Sequence, residues 1–293
     1  MQRPTRQQLA TLVVLTLVWG VNWPVMKLGV TGYPPITFRG LSMALGVPFL
    51  ALVLVAMKVP FSVPRKDWRE LLVLSATNMF VWHVCIILAV SMLSSGRAAI
   101  LGYTMSIFSA VFGALFFASP LGARAWTGVA AAGLAVALLL WHELSNLAGR
   151  PGGVALALVA AAVWAIGTQL LRRTTIDRPT LTISFWMTAM TAVVMLVVAA
   201  VVERDRWAWP SPTTWGAVWY NAIPIFVFAH AAWFWLARSL PPVASTISVM
   251  FIPVLGVLTG ALWLGEALHW QDWAAVLLIA TAIGLVMLPA RRA

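Results

Sequence analysis

The side chains able to do chemistry are few here, and their placement limits them to recognition. Each acid, namely Asp67, Glu70, Glu143, Asp177, Glu203, Asp205, Glu266 and Asp272, falls at or beyond the end of an apolar run. The four histidines, His83, His142, His230 and His269, are scattered, and no HExxH, GxSxG or closely spaced His/Asp set accompanies them. No metal site or cofactor is expected, and the lone Cys85 has no intrachain partner and reads as a small core residue. Amides, aromatics and two deep histidines remain. In the first run Trp19, Asn22, Trp23 and Met26 are spaced i, i+3, i+4 and i+7, one helical face. Pro24 in that run lacks an N–H, so the Gly20 carbonyl loses its helical partner. A freed carbonyl beside an Asn amide can hold an ammonium or amide, although a packed kink with Asn22 bonded between helices suits the same residues. In the third run Asn78 pairs with Trp82 and Met79 with His83, each at i, i+4, and the eighth repeats the theme with Asn221, Pro224, His230 and Trp233. Tyr103 and Trp164 add flat surfaces for stacking. With 17 Trp, most are core residues or interfacial anchors, as expected of Trp68, Trp126, Trp215 and Trp273 at the openings of their runs.

The elements that must carry these groups follow from composition. The 293 residues are 62% hydrophobic and 9% charged, with a mean hydropathy of +0.93. So few charges cannot cover a water-soluble surface, where about 25% is usual. Apolar runs near 9–29, 35–57, 68–91, 97–118, 123–141, 152–171, 180–202, 213–237, 243–263 and 270–288 predict ten membrane-spanning helices. Hydrocarbon offers no water to backbone groups, and closed barrels would show alternation instead. The net charge of +11 is dispersed between runs with no basic face for phosphates, so no nucleic acid is expected and the bilayer is the partner. Thirteen of the 19 basic residues fall on one side if both termini are cytoplasmic. The first run is long enough to span and is followed by no small-residue cleavage site, so it reads as a retained helix.

Sliding the chain along itself by 147 positions aligns Gly20 with Gly167, Phe38 with Phe185, Trp68 with Trp215, His83 with His230 and Trp126 with Trp273. The expectation is two halves, 1–147 and 148–293, of five helices each. An odd number inverts the second half in the membrane, an arrangement frequent among secondary transporters. Fold alone does not fix function.

The first-helix stretch Val18-Trp19-Gly20-Val21-Asn22-Trp23-Pro24, the Ile36-Thr37-Phe38-Arg39-Gly40 opening of the second helix, and Pro253 through Gly265-Glu266-Ala267 in the ninth resemble the drug/metabolite transporter superfamily in its EamA-type branch. Length, Trp content and the first-helix motif are most similar to the YddG-type exporters of aromatic and other neutral amino acids. The resemblance implies an inner-membrane, multi-pass carrier with a central cavity and with the fifth and tenth helices outside it. The mid-span polar and aromatic residues themselves give Trp19, Asn22, Asn78, Trp82, His83, Tyr103, Trp164 and His230 as candidate substrate-binding residues and Pro24 as a gate or mouth candidate, and the resemblance raises the same gate or mouth role for Arg39. Arg39, one turn inside its helix, also suits simple snorkelling to the interface. Glu266 faces no acid at the matching position, Ser119, which speaks against a symmetric acidic role. The first helix lacks the Glu that small multidrug-resistance relatives use, and no mid-membrane basic cluster suits sugar phosphates. Small neutral or zwitterionic metabolites, amino acids first, are the expected cargo, with a broad efflux carrier and an intramembrane lipid-modifying enzyme as the alternatives.

Overall fold

The computed structural model describes residues 5–117, 121–145, 150–232 and 242–287. Among these residues the chain is helical, with no strand. The reason is the one composition gives: a long apolar segment in lipid satisfies its N–H and C=O groups within itself.

Helix α1 is Arg6–Val30, opened by a reciprocal capping box between Thr5 and Gln8. Helix α2 is Pro35–Ala56, with proline in its first turn, where an N–H would have no partner. Helix α3, Arg65–Met92, contains a π-helical segment at Ala76–Phe80. Helix α4, Ser95–Phe116, is capped by Ser94 and breaks briefly after Gly102. Helix α5 is Ala123–Ser145, α6 is Pro151–Arg172 and α7 is Thr180–Val202. Helix α8 begins at Pro212–Tyr220 and passes into a longer π segment, Asn221–Ala229. Helix α9 is Pro242–Leu264 and α10 is Trp270–Met287. Six of these, α1, α2, α3, α4, α6 and α7, are long and apolar enough to cross a membrane. Trp233, Arg238 and the link from α8 to α9 lie outside the described residues, as do both chain ends.

Packing joins distant parts of the sequence. Helix α2 lies along α7, α4 along α9 and α5 along α10; α1 meets α8 and α9, α6 meets α3 and α4, and α8 also meets α2. The long pairs run antiparallel. Glu203 beyond the end of α7 reaches the start of α2, while the Trp186 indole near the start of α7 donates to the Phe61 carbonyl beyond the end of α2. Likewise Arg124 at the start of α5 donates to the carbonyl of Gly284 near the end of α10. Close approach of α4 and α9 depends on missing side chains, since a Cβ at Gly256 would fall 2.8 Å from that of Ala99. Outward faces stay apolar, as at Leu52, Val55, Val197, Val201, Leu262 and Leu277, which suits contact with lipid.

Candidate functional site

Helix α8 builds the site by departing from α-helical geometry. Pro224 can donate no backbone hydrogen bond, and the N–H of His230 bonds five residues back to the Ile225 carbonyl. This widened segment turns Phe226 fully inward, with no exposed surface. Three nitrogen-bearing side chains surround that ring. The Arg39 guanidinium lies 5.7 Å from its centroid, the His83 ring meets it edge-on at 5.4 Å, and the His230 ring stacks on it at 5.6 Å and 15°. They come from α2, α3 and α8 respectively.

Arg39 does not snorkel. It is 1% exposed, donates through Nη1 to Asn221 Oδ1 at 2.9 Å and touches the Met26 sulfur of α1. Its position follows from the short turn before α2 and from the close contact of α2 with α8, where Gly46 lets the Ala222 carbonyl approach. Among the described residues no carboxylate lies within ion-pair distance of it. The surroundings supply aromatic faces instead, Phe226 and, at 5.9 Å, Phe38.

Asn22 joins this region along α1. Val18, Asn22 and Met26 share one helical face; Val18 accepts a hydrogen bond from the Tyr220 hydroxyl at 2.9 Å, and Met26 meets Arg39. Asn22 therefore lies between the two points where this face of α1 engages its neighbours. Four buried polar atoms on these residues have no hydrogen-bond partner: Asn22 Oδ1, Arg39 Nε, and both His83 nitrogens. Together they offer an acceptor, a cationic donor, and an imidazole that can do either. His230, by contrast, has Nδ1 2.8 Å from the Ile225 carbonyl, which can only accept, so that nitrogen carries the proton of the pair.

The remaining expected residues gather elsewhere. Asn78 packs against Gly167 of α6, whereas His83 meets Phe226 of α8, and the Asn78 amide donates to the Leu74 carbonyl at 3.1 Å. Trp82 and Trp164 meet at the same α3–α6 contact, 5.1 Å apart. Tyr103 is buried at the break in α4, edge-on to Trp23 of α1 at 6.2 Å. Trp19 packs half-buried beside Ala229 and Ala232, near the end of the π segment. Pro24 is buried within a continuous α1. Two contributors were not among the expected binding residues: Phe226, one of 13 phenylalanines with nothing in the sequence to single it out, and Asn221, whose deep amide was the available signal.

No nucleophile–base pair is formed by these groups. They can bind and orient a solute with a hydrogen-bond donor at one end and acceptor oxygens at the other. The EamA-like transporter family matches residues 8–141 and again 151–288. Among curated proteins, the inner membrane transporter YedA of Escherichia coli K12 is 29% identical over 94% of this chain and 89% of its own. The transporter YoaV of Bacillus subtilis is 25% identical over 93% and 94%. A probable amino-acid metabolite efflux pump of Escherichia coli K12 is 26% identical over 94% and 92%. A crystal structure at 20% identity superposes with a TM-score of 0.70, covering 98% of this chain and 99% of that one, a likeness of fold.

Proposed function

Because this chain belongs to the EamA-like transporter family and is a membrane transporter rather than an enzyme, we propose that it exports, or lets pass, small zwitterionic metabolites, aromatic and other hydrophobic amino acids foremost. The observation that carries this reading is the set of buried atoms without partners, Asn22 Oδ1, Arg39 Nε and the His83 nitrogens. An unpaired polar atom removed from water costs roughly 1–3 kcal/mol, and a buried charge more. A solute bringing a carboxylate to Arg39 and His83 and an ammonium to Asn22 offsets that cost and neutralises the guanidinium while bound. Phe226 supplies a flat wall, and the aromatic pairs Trp82–Trp164 and Trp23–Tyr103 extend it on the α3–α6 and α1–α4 contacts.

Alternating access is the mechanism this architecture favours. The reading takes ten spans in two inverted five-helix halves. It is supported by two matched family segments and by a packing pattern that maps onto itself when five is added to each helix number: α1–α8 becomes α6–α3, and α1–α9 becomes α6–α4. The self-paired helices α2–α7 and α5–α10 run antiparallel, as a twofold axis in the membrane plane requires. Both termini are placed in the cytoplasm by the basic-residue bias alone, the ends themselves being outside the described residues.

The test is counterflow by purified protein in liposomes, with a panel of amino acids and lipophilic cations. Saturable exchange of aromatic amino acids, reduced in Asn22→Ala without matching loss of expression, is expected. Exchange of lipophilic cations alone would replace this reading with a broad efflux carrier.

A further inference from the structure

At one end of the bundle two carboxylates close on the starts of two helices from a distant part of the chain. Glu203, directly after α7, accepts hydrogen bonds from the backbone N–H of Ile36 at 3.1 Å and of Thr37 at 2.7 Å, and from the Thr37 hydroxyl at 2.7 Å. Glu266, just after α9, accepts from the Ser95 N–H at 2.6 Å, the Ser95 hydroxyl at 2.9 Å and the Gly96 N–H at 3.3 Å. Gly265 makes the second arrangement possible: its φ of +64° turns the chain back on α9, a conformation costly for other residues.

Both contacts lie at the same end. Lys27, in the last turn of α1, donates to the carbonyls of Val90 and Leu93 just before α4, and α1 leads into α2 by a short turn. The starts of α2 and α4 are thus neighbours of one junction. Arg97 adds a buried ion pair there, Nε to Asp272 Oδ1 at 2.7 Å. In the 147-residue register the positions matching Glu203 and Glu266 are Ala56 and Ser119, so neither acid has a counterpart. At the other end, among the described residues, Glu70 near the start of α3 accepts from Thr174 and Thr175 in the turn after α6 rather than from a helix start, and Thr175 is exposed to solvent.

A carboxylate on the free N–H groups of a first turn makes charge-assisted hydrogen bonds and meets the positive end of the helix dipole. Glu203 does so at 1% exposure, where water competes least. Each contact ties together two helices, α2 with α7 and α4 with α9, that must part for this end to open. We propose that Glu203 and Glu266 form a two-point latch that holds this mouth shut and must be broken once in every transport cycle. The latch makes the two mouths unequal although the helices around them are alike. This inference rests on the alternating-access reading above, but its test needs no substrate.

The experiment places a reporter cysteine at Ala98, fully buried in the first turns of α4, in a Cys85→Ser background. A membrane-impermeant maleimide is applied to proteoliposomes. Glu203→Gln with Glu266→Gln keeps size and shape but removes the charge, and is expected to raise the labelling rate about tenfold, the scale of one lost charge-assisted hydrogen bond. Glu70→Gln, at the opposite end, leaves the rate unchanged. Thr37→Val with Ser95→Ala, which removes the side-chain donors to the two carboxylates and, at Thr37, the acceptor of the Trp207 indole, gives a smaller rise in the same direction and serves if the double glutamine variant fails to purify as a single species. Unchanged labelling in whichever pair folds, or an equal rise in Glu70→Gln, overturns the latch. Failure of the amino-acid panel with the labelling pattern intact would remove the substrate assignment and leave the latch standing.

Discussion

Asn78 occupies the space that any side chain at position 167 would need: a Cβ added to Gly167 would fall 2.7 Å from Asn78 Cγ and Nδ2. The amide is held there by its bond to the Leu74 carbonyl at 3.1 Å, so it cannot swing away without losing a partner in a dry setting.

Gly167→Ala is therefore expected to destabilise the α3–α6 contact by about 1–3 kcal/mol, the usual cost of overpacking. The melting temperature of the purified protein in detergent should fall, and Asn78→Ala in the same chain should restore most of it. If Gly167→Ala alone melts with the parent protein, the two residues are not packed as described.

Arg39 gives the opposite sign for stability. Its guanidinium is buried with one hydrogen bond to Asn221 and no carboxylate within ion-pair distance among the described residues. Replacing a buried charge by an apolar group of similar length is often neutral or stabilising by roughly 1–4 kcal/mol. Arg39→Met is expected to melt no lower than the parent while amino-acid counterflow falls at least tenfold, roughly the loss of one charge-assisted contact to substrate. A variant that melts lower and transports normally would make Arg39 a structural residue.

Energy coupling follows from the charge of the cargo. A zwitterion carries no net charge, so moving it alone does no work against a potential worth about 2.3 kcal/mol per charge per 100 mV. Among the described residues the acids sit at span ends, leaving His83 and His230 as the deep groups able to carry a proton. Flux is expected to follow the substrate gradient, unaffected by an imposed potassium-valinomycin potential or pH step in liposomes. Uphill accumulation driven by either would reject this, and its loss in His83→Ala or His230→Ala would identify the proton carrier.

The helices were legible because lipid leaves the backbone little choice, so continuous apolar runs mark them directly. The relation between His83 and His230 was legible for a different reason: histidine is rare here, so a shared offset stands out, and both rings are found on Phe226. Phe226 itself carried no signal, because its role comes from a π segment and the sequence has no periodicity that marks one. Arg39 read as a gate or mouth residue or as an interfacial snorkeller, and the local sequence could not decide because it does not show that α8, about 180 residues later, offers Asn221. Glu203 and Glu266 read only as acids at the ends of apolar runs, Glu266 within the family-like motif as well. The helix-start N–H groups they accept from lie more than 160 residues away along the chain, beyond what spacing can reveal.

The π segments at Ala76–Phe80 and Asn221–Ala229 carry a mechanical consequence. A π turn accommodates an extra residue beyond the α-helical repeat, and each residue of an α-helix accounts for about 100° of rotation. Passing that surplus residue along the rod would rotate one portion against the other while nearly every backbone hydrogen bond finds a new partner one position on. His83 and Phe226 would then change azimuth with little change in height, as a screw advances by turning. A slip of this kind in α3 or α8 would reorient the walls of the site where these helices meet it, without movement of the whole bundle.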